Sequence, residues 1–201
     1  MPADSTVCSI SGPARSLMTA ERPALNFLQL MSGVATTTRH YVKLIEGTKA
    51  AILDTRKTLP GLRLAQKYAV RVGGGMNQRL ALYDGILIKE NHIAAAGSIK
   101  AAMDAAHSLK AGVSIQIEVE TLDDLKLALD AGATSILLDN FTNDMMHEAV
   151  AMTAGKAVLE ASGGVNRDSV RAIAETGVHR ISIGALTKDL KATDYSLRVT
   201  V

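Results

Sequence analysis

Residues 115–140 read IQIEVETLDDLKLALDAGATSILLDN, and this stretch decides the fold class. Ile115-Gln116-Ile117-Glu118-Val119 is a short β-branched run of the kind that forms a buried strand. Thr121 stands just before a helix-like stretch, Leu122–Ala131, with Asp124 three residues on, and Gly132 follows Ala131. Those are start and stop signals of a helix. A second apolar run, Ile136-Leu137-Leu138, comes next. Strand, helix and strand joined by short connections indicate an α/β chain with a parallel sheet.

The same alternation extends in both directions. Further strand-like runs are Ala51-Ile52-Leu53, Ile86-Leu87-Ile88, Ala157-Val158-Leu159 and Ile181-Ser182-Ile183. Helix-like stretches lie at Ser98–Leu109, Asn143–Thr153 and Asn166–Thr176, the last closed by Gly177. Strands spaced by one βα unit favour a barrel over an open sheet, but a complete eight-unit barrel typically needs about 250 residues. Six strand–helix units are visible. The expectation is therefore an incomplete, open TIM-like α/β barrel with parallel strands, or one with a strand not yet recognised. Before it, residues 14–46 read as a helical segment with Leu25, Leu28, Met31 and Val34-Ala35 on an apolar stripe, and Pro23 is assigned to a first helical turn. Residues 1–12 are expected to be a remnant of an N-terminal domain or a linker, and residues 13–201 the barrel domain.

Composition bounds the function. Of 201 residues, 47% are hydrophobic and 21% charged, which suits one globular domain. Aromatic residues make up 3% and Trp is absent, so Val, Ile, Leu and Ala must build the core. A net charge of +2 gives no whole-chain reason to expect nucleic acid or an anionic membrane as partner. The single cysteine, Cys8, rules out an intrachain disulfide and a Cys-rich metal site. No secretory pattern opens the chain and no apolar run is long enough to span a bilayer, so a cytoplasmic protein is expected.

Each strand-like run leads into a polar cluster: Asp54-Thr55-Arg56-Lys57-Thr58, Lys89-Glu90-Asn91-His92, Glu118-Val119-Glu120, Asp139-Asn140, Glu160-Ala161-Ser162-Gly163-Gly164, and Gly184. In a parallel barrel all these ends open on one face. One cluster alone reads as a solvated loop; six together read as an active-site mouth. Arg56, Lys57, Arg79 and Lys89 would bring four cations there, suited to carboxylate and phosphate oxygens. Glu118 and Asp139, on adjacent strands, would hold Mg²⁺, accept from sugar hydroxyls or face a developing positive charge; alone, they read equally well as structural ion-pair partners. Ser162-Gly163-Gly164 and Ser182-Ile183-Gly184 occupy the last two strand ends, where barrel enzymes often bind phosphate through backbone N–H groups. Gly73-Gly74-Gly75 is not a Walker loop, and reads as a turn that aims Arg79 into the cavity. His40, His107, His147 and His179 read as surface residues, and Met145, Met146 and Met152 as helix packing.

The strings ERPALNFLQLMSG (from Glu21), DTRKTLPGLR (Asp54), GGGMNQR (Gly73), LIKENHI (Leu87), IEVE (Ile117), LLDN (Leu137), EASGG (Glu160) and ISIGALT (Ile181) resemble the quinolinate phosphoribosyltransferases. The likeness runs from Gly12 to the C-terminus. It implies a glycosyltransferase of NAD biosynthesis that joins quinolinate to phosphoribosyl pyrophosphate, with Mg²⁺ and no organic cofactor, giving nicotinate mononucleotide, pyrophosphate and CO₂. It implies a homodimer. Carried over by resemblance, Arg22 (from the partner subunit), Arg56 and Arg79 grip the quinolinate carboxylates, and Lys57 and Lys89 neutralise carboxylate and pyrophosphate. Glu118 and Asp139 hold the ribose hydroxyls and Mg²⁺, while Ser162, Gly163, Gly164, Gly184 and Ala185 cradle the 5′-phosphate.

The sequence departs from the family pattern in two places. Gln78 stands where the family has His, so it can donate a hydrogen bond to a carboxylate but carries no charge. Most of the family's N-terminal domain is expected to be lacking, which would leave the mouth uncovered. Two kinds of alternative follow. One is a different enzyme on the same frame, either a molybdenum-transport-associated paralogue or a Schiff-base aldolase with Lys89 as nucleophile. The other is a catalytically incomplete barrel that binds phosphoribosyl pyrophosphate or a partner subunit without turnover.

Overall fold

A computed structural model of the chain describes residues 2 and 4–199. Six strands form one sheet: β1 (Ala51–Leu53), β2 (Gly85–Ile88), β3 (Ser114–Val119), β4 (Ser135–Asp139), β5 (Val158–Ser162) and β6 (Arg180–Ser182). All neighbours are parallel and the order is β1-β6-β5-β4-β3-β2. Around it lie α1 (Ala14–Leu44), α2 (Arg63–Val72), α3 (Glu90–Ala96), α4 (Ile99–Ser108), α5 (Leu122–Asp130), α6 (Asn143–Thr153), α7 (Val170–Glu175) and α8 (Ala185–Lys188). Each of the six apolar runs falls on a strand, although Ala157 lies just before β5 and Ile183 just after β6.

The alternation of side chains explains both the core and the site. Ile117, Val119, Ile136, Leu138, Leu159, Ala161, Ile181 and Ile183 share one face of the sheet and belong to the apolar core. Burying one such aliphatic side chain is worth about 1.5–3 kcal/mol, so this layer dominates stability. The register aligns Glu118, Leu137, Glu160 and Arg180 across β3, β4, β5 and β6 on the opposite face. By the same period of two, Gln116, Asp139, Ser162 and Ser182 share that face. It is strongly polar, unlike the branched apolar filling usual in such barrels. Curvature is evident from contacts between distant strands: Gln78, beside β1, reaches Gln116 of β3 and Glu160 of β5.

β1 and β2 are the two edges, and the chain between them bridges the gap. Met76 pairs in parallel with Leu53, its N–H donating to Ile52 (2.8 Å) and its carbonyl accepting from Asp54 (3.2 Å). Three residues on, the Arg79 guanidinium donates to the Gly85 carbonyl of β2 at 2.9 Å. The additional pairing is thus one isolated bridge, not a seventh strand. Gly73-Gly74-Gly75 turns the chain out of α2 into this bridge, Gly74 taking φ +90°.

Helix starts follow their caps. Thr121 accepts from the Asp124 N–H at 3.1 Å, as the sequence predicts, and Gly132 takes φ +83° beyond the end of α5. Ser98 and Thr142 cap α4 and α6 in the same manner. Several expectations need correcting. The helix read from Asn166 begins only at Val170, because the Asn166 side-chain oxygen accepts from the N–H groups of Asp168 and Ser169 and holds a turn. Pro23 lies well inside the 31-residue α1, not in its first turn. It deprives Thr19 of its usual carbonyl partner. Leu28 is 37% exposed and falls off the buried stripe that Leu25 and Val34 occupy. Helices α2, α3 and α8 had no counterpart in the sequence reading.

Described residues up to Pro13 form no regular element. Residues 189–199 are also irregular, and they lie along α1. Thr193 N–H donates to the Gln29 carbonyl (3.0 Å) and the Tyr195 hydroxyl to Ser32 (3.0 Å). Lys191 presses so close to Gly33 that any side chain there would overlap its carbonyl.

Candidate active site

The exit of β1 sets the geometry of the mouth. Asp54 and Lys67 are both buried and form an ion pair at 2.5 Å. Asp54 also accepts from Asn77 Nδ2 (2.5 Å) and the Gln78 N–H (2.9 Å), while Lys67 donates to the Gln78 carbonyl (2.8 Å). Burial pushes the Asp54 carboxyl up; the Lys67 ammonium, Asn77 and the Gln78 amide oppose that rise. The pair therefore serves to clamp the Asn77-Gln78-Arg79 segment on β1. Lys67 was missed by sequence reasoning because its partner comes from another element.

The loop after Asp54 has a fixed backbone and uncommitted side chains. Buried Gln66 accepts from the Leu59 N–H (2.8 Å) and donates to the Thr187 carbonyl (2.9 Å), and the Thr187 hydroxyl donates to the Lys57 carbonyl (2.8 Å). Arg63 donates to the Arg56 carbonyl and to the Thr58 hydroxyl. Arg56 and Lys57 are themselves exposed, and among the described residues their charged ends bond to no protein group.

Arg79 is half-buried. Burial lowers its pKa below the usual arginine value, nearby Arg56 lowers it further, and Asp84 and Glu118 oppose the fall. The positive charges of Arg56 and Arg79 oppose each other, and a bound anion relieves that repulsion. Gln78 turns its side chain inward, donating to Gln116 Oε1 (2.8 Å) and to both Glu160 oxygens (3.2 Å each), so its amide is committed to internal partners. A cavity of about 480 Å³ opens at the seam, lined in part by Lys67, Arg71, Gln78, Arg79 and Arg180. Lys57, Lys89, Glu118 and Asp139 do not line it, so it marks the gap between β1 and β2 and not the whole mouth.

On the other side of the mouth, Lys89 Nζ donates to both oxygens of Glu118 at 2.8 and 2.7 Å. The register dictates this, since Ile88 pairs with Ile117 and their successors lie side by side. Lys89 is thus a charge partner that remains 41% exposed, not the desolvated amine that Schiff-base chemistry requires. Asp139, half-buried at the end of β4, accepts from Asn140 Nδ2 (3.0 Å) and forms no ion pair among the described residues.

The last two strand ends supply N–H groups. Gly163 and Gly164 take φ +99° and +58°. A side chain at Gly163 would overlap Asn140, so this turn requires glycine. Among the described residues, the N–H groups of Gly163, Gly164, Gly184 and Ala185 donate to no protein acceptor. Ser162 flanks the first pair. Gly184 lies against Lys57, with Lys188 also near; Lys188, unremarked in the sequence, pairs with Asp189 at 2.7 Å.

Arg22 is exposed on α1 and bonds to none of these residues within the chain. His179 is half-buried ahead of β6, where its Nδ1 accepts from the Leu159 N–H at 3.1 Å, a structural duty and not a surface one. His92 Nδ1 accepts from the Lys89 N–H at the start of α3. No cluster of three or more metal-ligating side chains occurs among the described residues.

Parallel strands, a cationic mouth and unpaired backbone N–H groups at the last two strand ends define an α/β-barrel protein. Residues 34–198 match the model of the quinolinate phosphoribosyl transferase C-terminal domain, and residues 1–32 that of the N-terminal domain, so the two meet inside α1. The chain belongs to the quinolinate phosphoribosyltransferase family. It is 45% identical over 200 residues to the probable nicotinate-nucleotide pyrophosphorylase (carboxylating) of Bacillus subtilis, covering 97% of this chain and 68% of that one. The corresponding Mycobacterium leprae enzyme is 45% identical over 192 residues, covering 94% and 68%. The structure of the nicotinate-nucleotide pyrophosphorylase from Francisella tularensis superimposes with a TM-score of 0.87 at 52% identity, covering 89% of this chain and 64% of that one. The chain thus spans about two thirds of the length of these relatives.

Proposed function

We propose that this chain transfers the phosphoribosyl group of phosphoribosyl pyrophosphate to quinolinate, yielding nicotinate mononucleotide, pyrophosphate and CO₂. The observation that carries the reading is the gathering at one mouth of two arginines, Arg56 and Arg79, and four unpaired N–H groups at the last two strand ends, with Gly184 beside Lys57. The first suits a dicarboxylate and the second a phosphate. Arg56 and Arg79 hold the quinolinate carboxylates, and Gly163, Gly164, Gly184 and Ala185, with Ser162, hold the 5′-phosphate. Lys57, positioned beside Gly184, neutralises the pyrophosphate. As the ribose–pyrophosphate bond lengthens, positive charge grows on the sugar carbon, and the Glu118 and Asp139 carboxylates stabilise it from fixed positions. Lys89 holds Glu118 in place for that task.

Asp139, with Glu118 as second carboxylate, fits a Mg²⁺ that keeps most of its waters and arrives with phosphate oxygens, a site that needs no third protein ligand. Such an ion would offset charge on the departing pyrophosphate. Arg22 has no role within its own mouth, which suits its use in a partner subunit's site and a homodimeric, cytoplasmic enzyme. Among the described residues no helix is long and apolar enough to cross a membrane.

Turnover of quinolinate, phosphoribosyl pyrophosphate and Mg²⁺, with nicotinate mononucleotide followed by chromatography, tests the reading. Product should form, and should fall at least about a hundredfold in Asp139→Ala. Gln78 in place of the family's His supports a second reading: a protein that still binds phosphoribosyl pyrophosphate by calorimetry yet makes no product would be a binding barrel without turnover.

A further inference from the structure

Glu160 is a buried titratable group that the proposed reaction does not use. Its side chain is fully enclosed, and among the described residues no Lys, Arg or His forms an ion pair with it. Its oxygens accept from side-chain amides instead: from Gln78 Nε2 at 3.2 Å each, and from Gln116 Nε2 at 3.0 Å. Gln78 Nε2 also donates to Gln116 Oε1 (2.8 Å), and Gln78 Oε1 accepts from the Arg79 N–H at 2.6 Å. A carboxylate can only accept and the Arg79 N–H can only donate, so the Gln78 amide has one satisfying orientation between them.

We propose that Glu160 and Gln116 are positioning residues for Arg79, acting through Gln78, and so set the affinity of the mouth for the carboxylate substrate. The inference rests on the reading that Arg79 binds quinolinate. Apolar side chains at 116 and 160 would fill the barrel interior at lower cost than a carboxylate without a cation. The costly arrangement sits beneath the segment that crosses the seam, where Arg79 lacks the ladder bonds of a strand. Lys67 and Asp54 hold that segment from its outer side, at the Gln78 backbone; Glu160 and Gln116 hold it from within, at the Gln78 side chain. Without the inner hold, the Gln78 amide is free to rotate, the Arg79 N–H loses its acceptor, and the guanidinium loses its aim. Misplacement of a binding group by about 1 Å is enough to cost substantial rate.

Glu160→Gln keeps the shape but sets amide donors against the Gln78 and Gln116 amides. It should raise KM for quinolinate about tenfold with a smaller change in kcat. The Kd for phosphoribosyl pyrophosphate should stay within about twofold, and hydrogen exchange should quicken in the peptide 76–80 but not in β4. The exchanged pair Glu160→Gln/Gln116→Glu returns a carboxylate to the network and should restore both KM and protection. Should Glu160→Gln not fold, Gln116→Leu, which removes one donor from the carboxylate, is read in the same way. Equal losses for both substrates, an unchanged quinolinate KM, or exchange that quickens throughout the sheet would overturn the proposal. A wild-type protein that makes no product refutes the functional reading alone; exchange in 76–80 then still decides whether the network holds the segment.

Discussion

Helix α5 packs on the sheet and α2 lies against α1 and α8, and they bury different kinds of side chain. Leu125 and Ala128 of α5 are fully enclosed against β3 and its neighbours. In α2 the enclosed residues include Gln66 and Lys67 beside Ala69 and Val70, while Leu64, Tyr68 and Val72 are 71%, 60% and 61% exposed. The first helix contributes apolar burial. The second spends its inward face on directed bonds: Gln66 to the loop carrying Arg56 and Lys57, and Lys67 to Asp54 and the segment carrying Arg79. Non-directional burial tolerates small shifts, whereas hydrogen bonds fix positions to fractions of an ångström. The wall around β3, β4 and β5 thus supplies most of the stability, and the seam around β1 supplies placement.

Two substitutions break the comparison most directly. Lys67→Met leaves Asp54 buried and unpaired and should cost about 3–5 kcal/mol in urea unfolding. In variants that remain folded it should also weaken quinolinate binding, because the clamp on Gln78 is gone. Leu125→Ala should cost a similar or smaller amount, about 2–5 kcal/mol, by opening a cavity. Its quinolinate KM, measured below the melting range, should match the wild type. If Leu125→Ala shifts KM as much as Lys67→Met does, stability and placement are not divided as argued.

The smallest expected effect sharpens the boundary between the two regions. His179 joins β5 to β6, accepting from Leu159 N–H, while its own carbonyl accepts from Ala51 of β1. Burial lowers its pKa below 6.5, and Lys49 and Arg180 lower it further. The unfolded chain therefore binds more protons between the folded-state value and 6.5, so stability should rise with pH across that window and fall as pH drops through it. Melting temperature recorded from about pH 7.5 down to about pH 5 should show this slope. In His179→Gln, which keeps an acceptor but does not titrate, it should be shallower.

The same contrast explains what could be read from the sequence. Residues 115–140 were legible because their signals are local: a β-branched run, a capping Thr121 and a closing Gly132. The strand ends gave Arg56, Lys57, Lys89, Glu118 and Asp139 by position alone. The polar interior was visible as a period of two in Gln116-x-Glu118, Glu160-x-Ser162 and Arg180-x-Ser182, but Gln116 and Arg180 were passed over, and Glu160, read as part of a strand-end cluster, is buried within β5. Helix α2 was illegible because Gln66 and Lys67 share its inward face with Ala69 and Val70 while Leu64, Tyr68 and Val72 face out, which blurs the apolar stripe. Its reason lies in partners far along the chain: Gln66 reaches Thr187, 121 positions away, and Gln78 reaches Glu160, 82 positions away. No window along the sequence contains both ends of such a bond.

The tail that lies across α1 has a consequence for how the chain acquires its shape during synthesis. Tyr195 meets Ser32 across 163 positions, and β1 finds its strand partner only in β6. The units β2 to β5 can assemble in order as they leave the ribosome, each strand adding to the one before. Strand β1, although made before β6, gains that partner only once residues 180–182 are available, and α1 meets the tail only with residues 191–195. The junction of β1 with β6, and with it the Thr187 bonds that fix the loop carrying Arg56 and Lys57, is therefore the last part of the sheet to close.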